Sequence, residues 1–170
     1  MEETLLQLVL FSGYPTAIEA FRVWRQSGPQ GSPPGPGRPS GGTRTSWKRA
    51  GGKLCARIYG PTYAGLRNFM RRLSPELDAL MTEVGYGRVL SRPGLPPAAR
   101  EVVTVGALLG SDRPRQLLAH ARGSLRMGIE CEELDELLAR LGPRLTRGQR
   151  SRARGVLRDA RRLDRDGGTG

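Results

Sequence analysis

Apolar residues recur at three- and four-residue intervals along most of this chain, the spacing of helices that bury one face. In EETLLQLVLFSGYPTAIEAFRVW, Leu5, Leu8, Val9 and Ser12 share a face. Gly13 ends that helix, and Pro15 suits the first turn of a second one. There Ala17, Ala20, Phe21 and Trp24 form a stripe expected to be buried. After a gap the period resumes, with Tyr63, Leu66, Phe69 and Met70 on one side of a helix. Ser74 then caps a helix that starts at Pro75 and is expected to bury Leu77, Leu80, Met81 and Val84, with Gly85 and Gly87 breaking it. Pro93, Pro96 and Pro97 impose a bend, so the next helix reaches its first full turn at about Ala98. The fold class these elements predict is all-α.

The gap carries its own message. Residues 27–52 are rich in Gly, Pro and Ser and hold too little apolar area to offset the entropy of ordering them, which predicts a flexible linker. Four segments follow: an N-terminal helix pair over 1–26, that linker over 27–52, a helical core over 53–145, and a basic amphipathic helix with a disordered tail over 146–170. A coil of this length spans about 25–30 Å, enough for the N-terminal pair to dock on its own subunit or on a neighbour.

One position breaks the apolar pattern. Ala98, Glu101, Val105 and Leu108 fall in one stripe, so Glu101 stands where an apolar side chain is expected. Gly110, Ser111 and Asp112 make a turn, and a second helix begins near Pro114 with Leu117, Ala121, Ser124 and Met127 inward. The only histidine, His120, lies beside them. The midpoint of positions 101 and 120 falls inside the turn, so in an antiparallel hairpin Glu101 and His120 face each other, each roughly 9–14 Å from the bend. A carboxylate beside imidazole fixes its tautomer and stabilises imidazolium, as general acid–base catalysis requires. A buried ion pair that only fixes hairpin packing has the same spacing.

Composition narrows the surroundings of that pair. The net charge of +12 is almost all arginine, since Lys48 and Lys53 are the only lysines. Arginine suits phosphate and carboxylate, although GC-rich coding gives the same bias. Cys55 and Cys131 are too far apart in sequence for a C-x-x-C pair or a zinc cluster, and are expected to be free thiols. No metal site is expected. No stretch reaches the roughly 18–20 apolar residues of a membrane span, and the acidic opening is unlike a secretory signal; the expected compartment is the cytoplasm.

The stretch from Tyr86 to Leu134 resembles the carboxymuconolactone decarboxylase family, within the alkylhydroperoxidase D-like superfamily. The resemblance is carried by the R-P-G-L bend at Arg92 to Leu95, the pair Arg100 and Glu101, the H-x-R-G-x-L segment from His120 to Leu125, Gly128, and the E-E-L start at Glu132 to Leu134. Residues 2–21 are similar to the family's closing segment, with Phe11, Gly13, Pro15 and Ala17 in its signature positions, here moved to the N-terminus. The resemblance implies an all-helical fold of the alkylhydroperoxidase D-like type, trimeric or hexameric assembly and no cofactor. The redox branch of the superfamily carries C-x-x-C, where this chain has Arg113 and Gln116, so thiol peroxidase activity is not expected. What the resemblance implies instead is lyase chemistry, decarboxylation or a related step, on a small carboxylated lactone. His120 would move the proton, Glu101 would orient it, and Arg92 and Arg122 would bind substrate carboxylates.

Two readings of other classes stand beside this one. The chain could be an oligomeric scaffold without activity. It could also bind nucleic acid or another anion through Arg147, Arg150, Arg154, Arg158, Arg161 and Arg165, a stripe opposite Ala153, Val156, Leu157, Ala160 and Leu163. The absence of interleaved aromatic residues favours a solvated arginine face whose apolar side packs on the body.

Overall fold

A computed structural model describes residues 1–27 and 41–167, with side chains to residue 164. Every regular element among them is helical, as expected. The order is α1 (Glu2–Leu6), α2 (Leu8–Ser27), α3 (Arg44–Tyr59), α4 (Tyr63–Leu73), α5 (Pro75–Leu80), a π-helical segment (Met81–Leu90), α6 (Pro97–Gly110), α7 (Pro114–Arg126), α8 (Cys131–Leu141) and α9 (Arg147–Gly167). No helix among the described residues is long and apolar enough to cross a membrane.

Two apolar clusters organise the body. Val105, Leu108 and Leu109 of α6 pack with Leu117 and Ala121 of α7, Leu134 and Leu138 of α8, and Leu157 and Ala160 of α9. Leu54, Cys55 and Ile58 of α3 pack with Tyr86 and Leu90 of the π-helical segment. Phe11 of α2 touches both clusters, so the N-terminal helices dock on the body of their own chain. The break expected at Gly13 is present, with φ 78°. Beyond it the expected stripe is only partly covered. Ala17 is buried, while Ala20, Phe21 and Trp24 are half-buried. Phe21 and Trp24 stack edge-on at 5.9 Å, and Arg25 lies over the Trp24 ring, so these rings cover one another instead of entering a cluster.

The span 27–52, expected to be a linker, ends in helix. Residues 44–52 are the first turns of α3, started by a capping box in which Thr43 accepts from the Ser46 amide and Ser46 returns the bond. Residues 28–40 lie outside the described residues, as does the expected tail over 168–170. Gly51 is buried where α3 crosses the π-helical segment. A Cβ there would stand 1.9 Å from the Thr82 carbonyl oxygen, and one on Gly87 would stand 2.2 Å from that of Trp47. Gly87 therefore does not break a helix; it lets two backbones meet. Gly51→Ala or Gly87→Ala is expected to cost about 1–3 kcal/mol or more, because a carbonyl fixed in a helix cannot yield as a side-chain tip can. Urea unfolding checks this, and a variant as stable as the wild type would contradict so close a crossing.

The buried face of α5 and its extension differs from the expected one. Leu77, Leu80 and Val84 are exposed, whereas Asp78, Thr82, Glu83 and Tyr86 are buried. The acids point inward because each has a cation to meet. Arg67 holds Asp78 through two hydrogen bonds, one of 2.7 Å, and Arg44 pairs with Glu83. With Phe69 and Leu73 of α4, the displaced residues form an exposed apolar face. On α9 the expected division is partial: Ala153, Leu157 and Ala160 are buried against the body and Arg147, Arg154 and Arg158 are exposed, while Arg150, Val156, Arg161 and Leu163 are half-buried.

Candidate active site

Helices α6 and α7 fold back about the turn at Ser111 and Asp112, and the misplaced acid meets the lone imidazole. His120 Nδ1 lies 2.9 Å from Glu101 Oε2. Glu101 is 1% exposed and His120 5%, so the pair is sheltered from water. With the carboxylate ionised, Nδ1 donates and the tautomer is fixed. Nε2 makes no hydrogen bond to a described residue, which leaves it able to exchange a proton. Gly123 makes room for this pair, since a Cβ there would stand 2.6 Å from Ile58 and 2.9 Å from the Glu101 carboxylate.

Two rings close around the imidazole edge-on: Phe11 at 5.5 Å and Tyr59 at 6.2 Å between centroids. The Tyr59 hydroxyl pairs with that of Tyr86, and burial pushes the Tyr59 phenol up to about 12, so it stays protonated near neutrality. Burial likewise pushes the Cys55 thiol up to about 12, which makes it a poor nucleophile.

Helix α1 reaches this region through polar side chains. Gln7, fully buried, donates to the Arg100 carbonyl at 2.9 Å and accepts from the Arg100 guanidinium at 3.2 Å. Glu3 accepts from Arg92 and from Arg100, each at 2.8 Å. The Arg100 guanidinium also donates to the Arg92 carbonyl. The carboxylate that Arg92 grips in this structure is thus one belonging to the chain itself.

Arg122 stands elsewhere. Together with Arg115 and Arg126 it lines a cleft of about 510 Å³ between α7 and the start of α4, walled by Tyr59, Leu66, Phe69 and Leu118. Its Nε is buried without a hydrogen-bond partner. Burial, and then the Arg122 charge, hold the Arg126 guanidinium below its usual value. No carboxylate of a described residue lines the cleft, although Asp164 offsets part of the Arg126 charge, so its net positive charge favours an anion. Glu101 and His120 do not line it; Tyr59 is the residue that touches His120 and also faces the cleft. Sequence reasoning missed Arg115, Arg126 and Tyr59. The spacing of Arg115, Arg122 and Arg126 along one face of α7 was a signal for the first two, while nothing local marked Tyr59.

Comparison with known proteins bears directly on this hairpin. The model of the carboxymuconolactone decarboxylase family matches residues 75–159, a span containing both Glu101 and His120. The chain is also similar to a 4-carboxymuconolactone decarboxylase of Acinetobacter baylyi (strain ATCC 33305 / BD413 / ADP1), 38% identical over 63 residues. That match takes in 37% of this chain and 47% of the relative, so it spans about half of the relative's length. A family model that covers half the chain and encloses the paired acid and imidazole shows that this chain belongs to the carboxymuconolactone decarboxylase family.

Proposed function

We propose that this protein carries out cofactor-free acid–base chemistry, a decarboxylation or related lyase reaction, on a small carboxylated lactone or similar anion. The observation that carries the reading is the His120–Glu101 pair, with Nδ1 committed to a buried carboxylate and Nε2 without a partner. In such a decarboxylation the bond to the departing carboxylate breaks, and its electron pair passes into the conjugated lactone. A proton from the His120 imidazolium then satisfies the carbon, and Glu101 keeps the ring oriented and offsets its charge. The cleft beside Tyr59 is the nearest place for the substrate, with Arg122, Arg115 and Arg126 meeting its carboxylates. The Tyr59 ring both touches the imidazole and lines that cleft, which makes it the link between the two. A cytoplasmic location accords with the two free thiols.

The test is CO₂ release from a carboxymuconolactone-type substrate, lost when His120 is removed. Arg122→Ala is expected to raise KM about tenfold or more with a smaller change in kcat, because a charge-assisted bond to a remote carboxylate is made in ground and transition state alike. Steady-state kinetics separate the two, and an unchanged KM would take Arg122 out of substrate binding.

A second reading, a homo-oligomeric scaffold without activity, draws on the exposed face of Phe69, Leu73, Leu77, Leu80 and Val84. The resemblance implies trimeric or hexameric assembly, and a second copy of this chain is the occupant we propose for that face. Assembly through it is compatible with catalysis, so the CO₂ assay decides between the readings.

A further inference from the structure

A different cleft, of about 530 Å³, opens beside the crossing of α3 and the π-helical segment. Arg49, Lys53, Arg88 and Arg92 line it, together with Trp47 and Pro93, and no carboxylate of a described residue does. Two neighbouring cations are neutralised: Arg44 at the start of α3 by Glu83, and Arg92, at the edge of the cleft itself, by Glu3. Arg49 and Lys53, one turn apart on the exposed side of α3, have no ion pair or hydrogen bond with a described residue. Arg88 rests its guanidinium 5.1 Å over the Trp47 ring and has no acid either. Three uncompensated charges therefore face one concavity. The floor beneath them is rigid, because the Gly87 backbone packs directly against that of Trp47.

We propose that this cleft is a second anion site, taking a phosphate-bearing small molecule held by Arg49, Lys53 and Arg88. Three cations outmatch the single charge of one carboxylate and suit the several charges of a phosphoryl or diphosphoryl group. The volume lies in the range of small-molecule sites, and Trp47, Ala50 and Pro93 supply apolar wall for the rest of the ligand. None of Glu101, His120 and Arg122 lines this cleft, so the site stands whether or not the proposed reaction does.

Isothermal titration of the full chain with inorganic pyrophosphate, at fixed ionic strength, tests the proposal. In a background carrying Arg122→Gln, which weakens the cleft between α7 and α4, saturable binding is expected, weakened at least tenfold when Arg49→Gln/Lys53→Gln is added and changed less than twofold when Arg150→Gln/Arg154→Gln, which removes the same charge from α9, is added. Arg49, Lys53 and Arg154 are exposed and Arg150 is half-buried, and circular dichroism checks that both variants fold. Absence of saturable binding to the wild type, equal loss in the two double variants, or acetate competing as well as pyrophosphate would each overturn it.

Discussion

His120→Ala is expected to lower turnover of a carboxymuconolactone-type substrate by about 10²–10⁴-fold, the usual contribution of a positioned general acid–base group. No other imidazole in the chain can take over. The Tyr59 phenol, pushed up to about 12 by burial, is too weak an acid to replace it near neutrality. The substitution also leaves Glu101 buried with no partner, and breaking a buried pair in this way costs about 3–5 kcal/mol. Loss of activity must therefore be separated from loss of fold. The double variant Glu101→Gln/His120→Gln removes both charges and is expected to recover much of the stability and none of the turnover. CO₂ release measured beside urea unfolding gives both quantities. Equal CO₂ release from wild type and His120→Ala would remove the imidazole from the chemistry.

Glu3→Ala is expected to cost about 3–5 kcal/mol, although Glu3 lies far in sequence from the helices that it secures. Its carboxylate answers two guanidinium groups. One of them, Arg100, is 2% exposed and already has an unsatisfied Nε. Without Glu3 that charge stays buried with only the amide oxygen of Gln7 and one carbonyl to face it. The pH dependence follows from the same contacts. Burial pushes the Glu3 carboxyl up, but the hydrogen bonds and charges of Arg92 and Arg100 outweigh it and leave it below the usual carboxylate range. A group lowered on folding adds stability that is complete above its unfolded value and is lost as pH falls through the folded one. Asp78, held down chiefly by the hydrogen bond from Arg67, behaves alike. The wild type is therefore expected to lose stability as pH falls below about 4 to 5, and Glu3→Gln to show a shallower loss from a lower plateau. Urea midpoints measured across that interval check the sign; identical slopes would mean that Glu3 contributes nothing on folding.

The hairpin was legible because its signals were local and agreed. A turn with small and polar residues, two amphipathic runs and one acid out of place fixed both the topology and the facing pair. The α5 region misled for a physical reason. Periodicity assigns charged residues to the outside, whereas Asp78 and Glu83 are drawn inward by Arg67 and Arg44, partners supplied by helices that α5 meets only after folding. The start of α3 was hidden as well, since a capping box at Thr43 and Ser46 sits in a Gly- and Pro-rich context and Gly51 serves a contact invisible from sequence. The docking of α1 rests on Glu3 and Gln7, polar positions that a count of apolar residues passes over. Arg92 was expected to bind a substrate carboxylate; in the structure it pairs with Glu3, and no sequence pattern pointed to that partner.

The Glu3–Arg100 contact joins residues 97 positions apart, so it closes a very large loop. During synthesis α1 and α2 leave the ribosome long before α6, which receives them, and they must wait with Phe11 and Leu10 uncovered. Folding of this chain is thereby tied to its slowest kind of step, the long-range closure whose entropic cost comes before its contacts repay it. Helices α1 and α2 are therefore among the last to settle.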